Sequence, residues 1–221
     1  MTGVLIVAAH PDDAELALGG TIAQLTERGD EVTVALFTVS ETASTQDRDR
    51  RARRIAAAEA AAQTLGHRLR WLGDGRYDQV EDIPEYRAVG LLDDLVAEIE
   101  PDTLLTHWDG DSHGDHVRVA RAAIASSRRW PRTALLQFGP NEHRTVRHAE
   151  FVPTLYVPTA AQLPRKLRAL ACYAYPGQGF RALDPDAVEL LDRARGAAVG
   201  LAAAEGLRLV RHCLTPGRPL L

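Results

Sequence analysis

The sequence predicts an α/β fold: a Rossmann-like, mostly parallel sheet flanked by helices, in a single domain. Three observations predict it. Short apolar runs alternate with longer helical patterns over the first two-thirds of the chain, the alternation that a parallel sheet covered on both faces requires. The chain has 221 residues, enough for one sizeable core. Two polar clusters, His10-Pro11-Asp12-Asp13 and His113-Gly114-Asp115-His116, each follow an apolar run and precede a helical one. Ligands of open α/β sheets bind at such strand-to-helix junctions.

The elements follow in order. Val4–Ala9 reads as a buried strand, and Ala14–Arg28 as a helix stopped at Gly29-Asp30. Val32–Val39 is a second strand, followed by a helix over Asp49–Leu65 that stops at Gly66-His67. Leu69–Leu72 is a third strand, Glu85–Glu100 a helix, Thr103–Thr106 a fourth strand and Asp115–Arg128 a helix. Ala134–Phe138 reads as a fifth strand, completing a core over residues 1–139. Residues 140–221 read as a looser C-terminal layer of the same domain. Proline recurs from Pro140 to Pro164, so loops are expected there around a strand at Phe151–Val157. Helices are expected over Gln162–Tyr173 and Asp186–Ala204, the latter capped through Asp184-Pro185-Asp186, and a last strand over Leu207–Cys213.

Composition narrows the function classes. Hydrophobic residues make up 45% of the chain, which suits a packed core and argues against disorder. A net charge of −4 points away from nucleic-acid and membrane surfaces as partners. Lys166 is the single lysine among 26 basic residues, a bias from which no function follows. Cys172 and Cys213 lack metal or redox spacing and read as two reduced core thiols. The N-terminal apolar run is too short for a signal peptide and has no basic flank, and no stretch approaches a transmembrane span; a cytoplasmic protein is expected. The Gly73-x-Gly75 and Gly177-x-Gly179 pairs do not sit between a strand and a helix, as a dinucleotide fingerprint must.

The polar clusters suggest one metal site. A catalytic zinc commonly takes three N or O ligands and keeps a fourth position for water. His10 and Asp13, three residues apart across a turn, can converge on one point, and His116 is the natural third ligand if the two strands are neighbours. Asp12 is then placed to take a proton as general base. His113 is placed to stabilise an oxyanion or protonate a leaving group, and Asp115 to orient an imidazole. Taken singly, each has a plainer reading: a hydrogen-bonded histidine, or a helix N-cap for Asp12, Asp13 and Asp115. Two histidines and a carboxylate also suit Fe(II).

These residues also carry a family resemblance. Ala8-Ala9-His10-Pro11-Asp12-Asp13 with Glu15 resembles the A-H-P-D-D-E signature of the LmbE-like, or PIG-L-like, zinc-dependent N-deacetylases, with Ala14 standing before the glutamate. Thr106-His107 and Asp111-Ser112-His113-Gly114-Asp115-His116 resemble the second signature, with Gly114 in place of its proline. Thr38-Val39-Ser40-Glu41 is similar to a T-x-G-E element, and Gly196 with Ala203-Ala204-Glu205-Gly206-Leu207 to a late G…A-E-x-F region. The resemblance implies hydrolysis of an N-acetyl amide, often on a glucosamine unit, with one Zn2+ per chain. It assigns His10, Asp13 and His116 as ligands, Asp12 as base, and His113, partnered by Asp115, as electrostatic or acid catalyst. By looser alignment it places Arg54 and Asp78 at the substrate. Family analogy extends to a homo-oligomer. The stretch Ala171–Gln178 lacks the histidine that related sequences carry there, which bears on the sugar pocket.

The remaining features are weaker. Arg48, Arg50, Arg51, Arg53 and Arg54 read as a solvated helix face or, alternatively, a site for phosphate or an acidic substrate, and Arg128, Arg129 and Arg132 as a favourable helix C-terminus. Trp108, beside His107, is a candidate for stacking on a sugar or for ordinary packing. The expected substrate is an N-acetylglucosamine-type glycoside or a small N-acetylated metabolite. The alternatives are a short non-sugar N-acyl amine or hydrazide, an Fe(II) enzyme, and a metal- or sugar-binding relative without turnover. Specificity is expected in the loops near residues 41–48, 74–84 and 139–150.

Overall fold

The computed structural model describes residues 2–39, 48–75, 79–139, 150–174, 184–213 and 221. Its strands are β1 (Gly3–Ala8), β2 (Glu31–Leu36), β3 (Arg68–Trp71), β4 (Thr103–His107), β5 (Ala134–Phe138), β6 (Leu155–Pro158) and β7 (Ala204–Arg211). The helices are α1 (Asp13–Glu27), α2 (Arg48–Leu65), α3 (Glu85–Ile99), α4 (Gly114–Ser127), α5 (Leu163–Ala171) and α6 (Pro185–Ala197). All seven strands form one sheet in the order β3-β2-β1-β4-β5-β7-β6. The first five are parallel, and β7 runs antiparallel between β5 and β6.

The central strands are buried on both faces, so their side chains alternate between two cores. Val4, Ile6 and Ala8 of β1 enter a core with Leu18 and Ile22 of α1, Leu65 of α2 and Ala169 of α5. Leu5, Val7 and Ala9 enter the opposite core with Leu92 and Val96 of α3 and Val119 of α4. Glycine closes the first two helices as expected: Gly29 has φ 89° and Gly66 φ 78°, the left-handed region where side chains are strained.

The sheet order creates the site. From β1 the chain winds outward through β2 to β3, then returns to β4 on the other flank of β1. The winding direction therefore reverses between β1 and β4, and a crevice opens beyond their carboxyl ends. Both polar clusters leave those ends.

The last third differs from expectation in three places. The strand expected over Phe151–Val157 is shorter and later, Leu155–Pro158. The helix expected to reach Ala204 stops at Ala197, and the final strand begins at Ala204 rather than Leu207. The alanine-rich run 197–204 favours helix locally, but Gly200 adopts φ 75° and the chain turns back on itself. Ala203 then lies against Gly196, where an added Cβ would sit 2.6 Å from the Ala203 Cα. This segment is also tied into the main core: Val157, Ala169, Tyr173 and Leu207 are buried there.

The tie is ionic as well. Lys166 of α5 is fully buried, with Nζ 2.6 Å from Asp192 Oδ2 of α6 and 2.7 Å from Glu205 Oε1 of β7. Glu205 also accepts the Gly20 and Thr21 amides of α1 at 2.8 and 2.7 Å. Gly20 lets this approach happen: a Cβ there would meet the Thr159 side chain at 2.6 Å. The two cysteines are free thiols, but Cys213 is exposed and Cys172 half-buried, so neither is a core residue as expected. No helix among the described residues is long and apolar enough to cross a membrane.

Candidate metal centre

The first cluster is placed by the turn from β1 into α1. Asp12 has φ 88° and ψ −26°, a left-handed conformation that costs a non-glycine residue about 1–3 kcal/mol and concentrates at functional sites. Its carbonyl accepts the Leu16 amide at 2.8 Å, starting the helix. Asp13 Oδ2 accepts the His10 amide at 2.8 Å, which closes the turn and brings this carboxylate back beneath His10. The second cluster is placed by α4. His113 caps that helix, its Nδ1 accepting the Asp115 amide at 3.2 Å. The first turn of α4 then carries His116 toward β1.

The two clusters meet. His10 Nδ1 lies 3.6 Å from Asp13 Oδ2, and His116 Nε2 lies 3.4 Å from Asp13 Oδ1. The His10, His113 and His116 rings are neighbours, with centroids 4.3–5.8 Å apart. Two overlapping sets of donor atoms lie within 4.8 Å of one another: His10, His113 and His116, and Asp13, His107 and His116.

Hydrogen bonds settle which nitrogens face inward. Asp111 Oδ2 accepts from His116 Nδ1 at 2.8 Å, leaving Nε2 toward Asp13. Asp115 Oδ2 accepts from His10 Nε2 at 2.9 Å, leaving Nδ1 toward the same carboxylate. Imidazoles that ligate a metal are held in this way, by a carboxylate on the other nitrogen. Ligands about 2.0–2.1 Å from a tetrahedral ion stand about 3.3–3.5 Å apart, close to the two gaps across Asp13. The donor chemistry suits a divalent cation, but His10 and His116 approach different oxygens of Asp13, and these three residues do not together form either of the two clustered sets.

The electrostatics agree. Burial disfavours the Asp13 carboxylate, but His116 and then His107 outweigh it and hold its carboxyl well below the usual range. Burial likewise disfavours the His116 imidazolium, yet Asp13 and Asp111 push it up to about 10. The protein thus holds a positive charge at this spot by protonating His116. Burial and then the neighbouring imidazoles lower His113, which favours its neutral form. With Nδ1 engaged as acceptor, that neutral ring carries its proton on Nε2.

Other expected residues fall as follows. Asp115 bonds His113 through its backbone amide and His10 through its carboxylate, which also interacts electrostatically with His113. Arg54 is buried and donates from Nη2 to the Pro11 carbonyl at 3.4 Å, joining α2 to the first cluster. Trp108 is 5% exposed, edge-on to Phe151 and pressed against Gly110, the packed arrangement. Asp78, Ser40, Glu41 and 175–178 lie outside the described residues, as do most of the expected specificity loops. Two residues given no role by the sequence stand at the centre. One is Asp111, the carboxylate behind His116. The other is His107, the last residue of β4, buried at 2% exposure. Both belong to the second signature, but only the strand order reveals what they touch.

Comparison with known proteins bears on this geometry. Residues 5–127, which include every residue of the centre, match the family model described as PIG-L: GlcNAc-PI de-N-acetylase. The chain is 26% identical over 167 residues to the uncharacterized deacetylase YaiS of Escherichia coli K12, covering 69% of this chain and 86% of that one. It is 32% identical over 155 residues to a 1D-myo-inositol 2-acetamido-2-deoxy-alpha-D-glucopyranoside deacetylase of Mycobacterium leprae, covering 56% of this chain and 50% of that one. It thus spans about half the length of that relative. Among solved structures, the N,N'-diacetylchitobiose deacetylase of Pyrococcus horikoshii shares the fold with a TM-score of 0.74 at 22% identity, over 99% of this chain and 88% of that one. GalB, the 4-carboxy-2-hydroxymuconate hydratase of Pseudomonas putida KT2440, shares it with a TM-score of 0.78 at 20% identity, over 99% and 100%.

Proposed function

This chain belongs to the PIG-L family of GlcNAc-PI de-N-acetylases, and on that premise we propose that it is a zinc-dependent hydrolase that removes an acetyl group from an amide nitrogen. The convergence of His10, Asp13 and His116 beyond β1 and β4, with Asp12 next in the chain, is the observation that carries the proposal. The proposed acceptor is an N-acetylglucosamine-type glycoside or another small N-acetylated metabolite. Relatives named for glucosaminide deacetylation support the sugar.

A divalent ion bound by His10, Asp13 and His116 supplies Lewis acidity for water activation and for polarising the acetyl carbonyl. Asp12 takes the proton of the attacking water. The left-handed backbone fixes where that carboxylate leaves the chain. His113 donates from Nε2 to the carbonyl oxygen as it gains negative charge, a preorganised donor that needs no protonation of the ring. The proton held by Asp12 then passes to the departing nitrogen as the C–N bond breaks, giving acetate and a free amine. Arg54, buried against the Pro11 carbonyl, is proposed to keep the catalytic turn in place and to meet the substrate at its edge.

A shared fold does not decide the reaction, since a hydratase adopts it too. The test therefore reads the product. Acetate release from an N-acetylglucosaminide is expected from the purified chain, lost on chelation and restored by zinc. Full activity in metal-free protein overturns the mechanism. Asp12→Asn is expected to lower turnover about 10²–10⁴-fold while zinc content stays at the wild-type level. Asparagine tolerates the left-handed backbone, so the variant isolates the proton transfer.

A further inference from the structure

We propose that His107 is the positioning residue of this centre, the side chain that locks the two ligand-bearing turns to each other. The inference rests on the metal reading above and adds a role for a residue outside the ligand set. His107 ends β4 and is enclosed on every side. Its Nε2 accepts the amide of Ala9, the residue immediately before His10, at 3.0 Å. A backbone amide can only donate, so Nε2 carries a lone pair and the ring is neutral. One face of that ring stacks on His116, with centroids 4.0 Å apart and planes 12° from parallel. Phe138 of β5 abuts the ring at 4.6 Å, tilted by 56°.

Each contact has a separate consequence. The bond to Ala9 pins the exit of β1 to the end of β4, beyond the last ladder pair of those strands, Val7 with Thr106. It thereby fixes the height at which His10 and Asp13 leave the sheet. The stacked face fixes the plane of His116, whose Nε2 must point at Asp13. His107 Nε2 also lies 3.3 Å from Asp13 Oδ2. The Ala9 bond occupies the Nε2 lone pair beside that oxygen. While that bond holds, Nε2 is not free to ligate, although His107 belongs to one of the two donor sets.

The experiment is zinc affinity of the purified chain, read by competition with a chromophoric chelator and without any substrate. His107→Phe keeps the ring face and removes the acceptor. His107→Gln keeps an acceptor near the Nε2 position and removes the stacked face. The dissociation constant is expected to rise about 10–100-fold in His107→Phe, as for other groups that orient ligands, with part of the loss recovered in His107→Gln. Thermal melting of the metal-free variants checks that each is folded. A wild-type affinity in folded His107→Phe overturns the proposal, and so does a His107→Gln variant as weak as His107→Phe. Should His107→Phe fail to fold, His107→Asn decides, being too short to reach Ala9; weakened binding supports the role and wild-type binding overturns it. A wild-type chain that takes up no zinc sinks the metal reading and this role with it. Zinc bound alike by wild-type and variant sinks the role alone.

Discussion

His116 is held between two carboxylates, Asp13 and Asp111, and that arrangement makes metal binding a proton exchange. Its imidazolium is raised to about 10 in the metal-free chain. A raised folded-state pKa means that the stabilisation it brings is complete below the ordinary histidine value of about 6.5 and is lost as pH rises through about 10. A cation taking the Nε2 lone pair must displace that proton. Zinc binding between those limits is therefore expected to release about one proton from His116, and apparent affinity to climb with pH. Titration calorimetry in buffers of different ionisation enthalpy checks this; no proton release at pH 7–8 contradicts it. At this scale the sequence was informative for one reason and silent for another. The approach of His10 to Asp13 was legible because three-residue spacing across a turn is local geometry. The roles of His107, Asp111 and the Asp115 carboxylate were not, because each depends on which strand lies beside which. The two halves of the site meet only through the pairing of β1 with β4.

At the scale of elements, the first five strands and four helices were legible from periodicity and glycine stops, with ends displaced by a few residues. The exception lies around α6 and β7. There an alanine-rich run mimics helix, and the tertiary contact of Ala203 with Gly196 overrides it. The same region holds the chain's single lysine, whose place in a buried ion network no local pattern announces. Burial lifts the Asp192 carboxyl to about 6 against the pull of Lys166, a sign of how costly these charges are without their partner. Lys166→Met leaves Glu205 without its ion-pair partner and Asp192 with only the more distant Arg195, 3.9 Å from its Oδ1. A loss of about 3–5 kcal/mol in unfolding free energy is expected, measurable by urea denaturation. A variant as stable as the parent would show that the network contributes little. Glu205, read in the sequence only as part of a family motif, thus has a visible structural role, since it anchors α1 through Gly20 and Thr21.

For the molecule as a whole, the centre is a clasp between two halves of one sheet. His10 and Asp13 belong to the half that winds from β1 to β3, and His116 to the half that begins at β4. An ion held by all three binds only the folded chain. Zinc at a thousandfold excess over its dissociation constant should stabilise by about 4 kcal/mol, and chelation should lower the melting temperature by about 10 °C. An unchanged melting curve after chelation would mean that the ion grips one half alone.

The pairing of β1 with β4 joins Val4 to Thr103, residues far apart in the chain. Closing so long a loop is among the slower and less favourable steps of folding, and the ligands do not coexist until it has happened. A metal ion held by all three proposed ligands would therefore not seed the fold of this protein, as zinc does in small zinc fingers. It would arrive only at the finish, as a seal on a chain already threaded into shape.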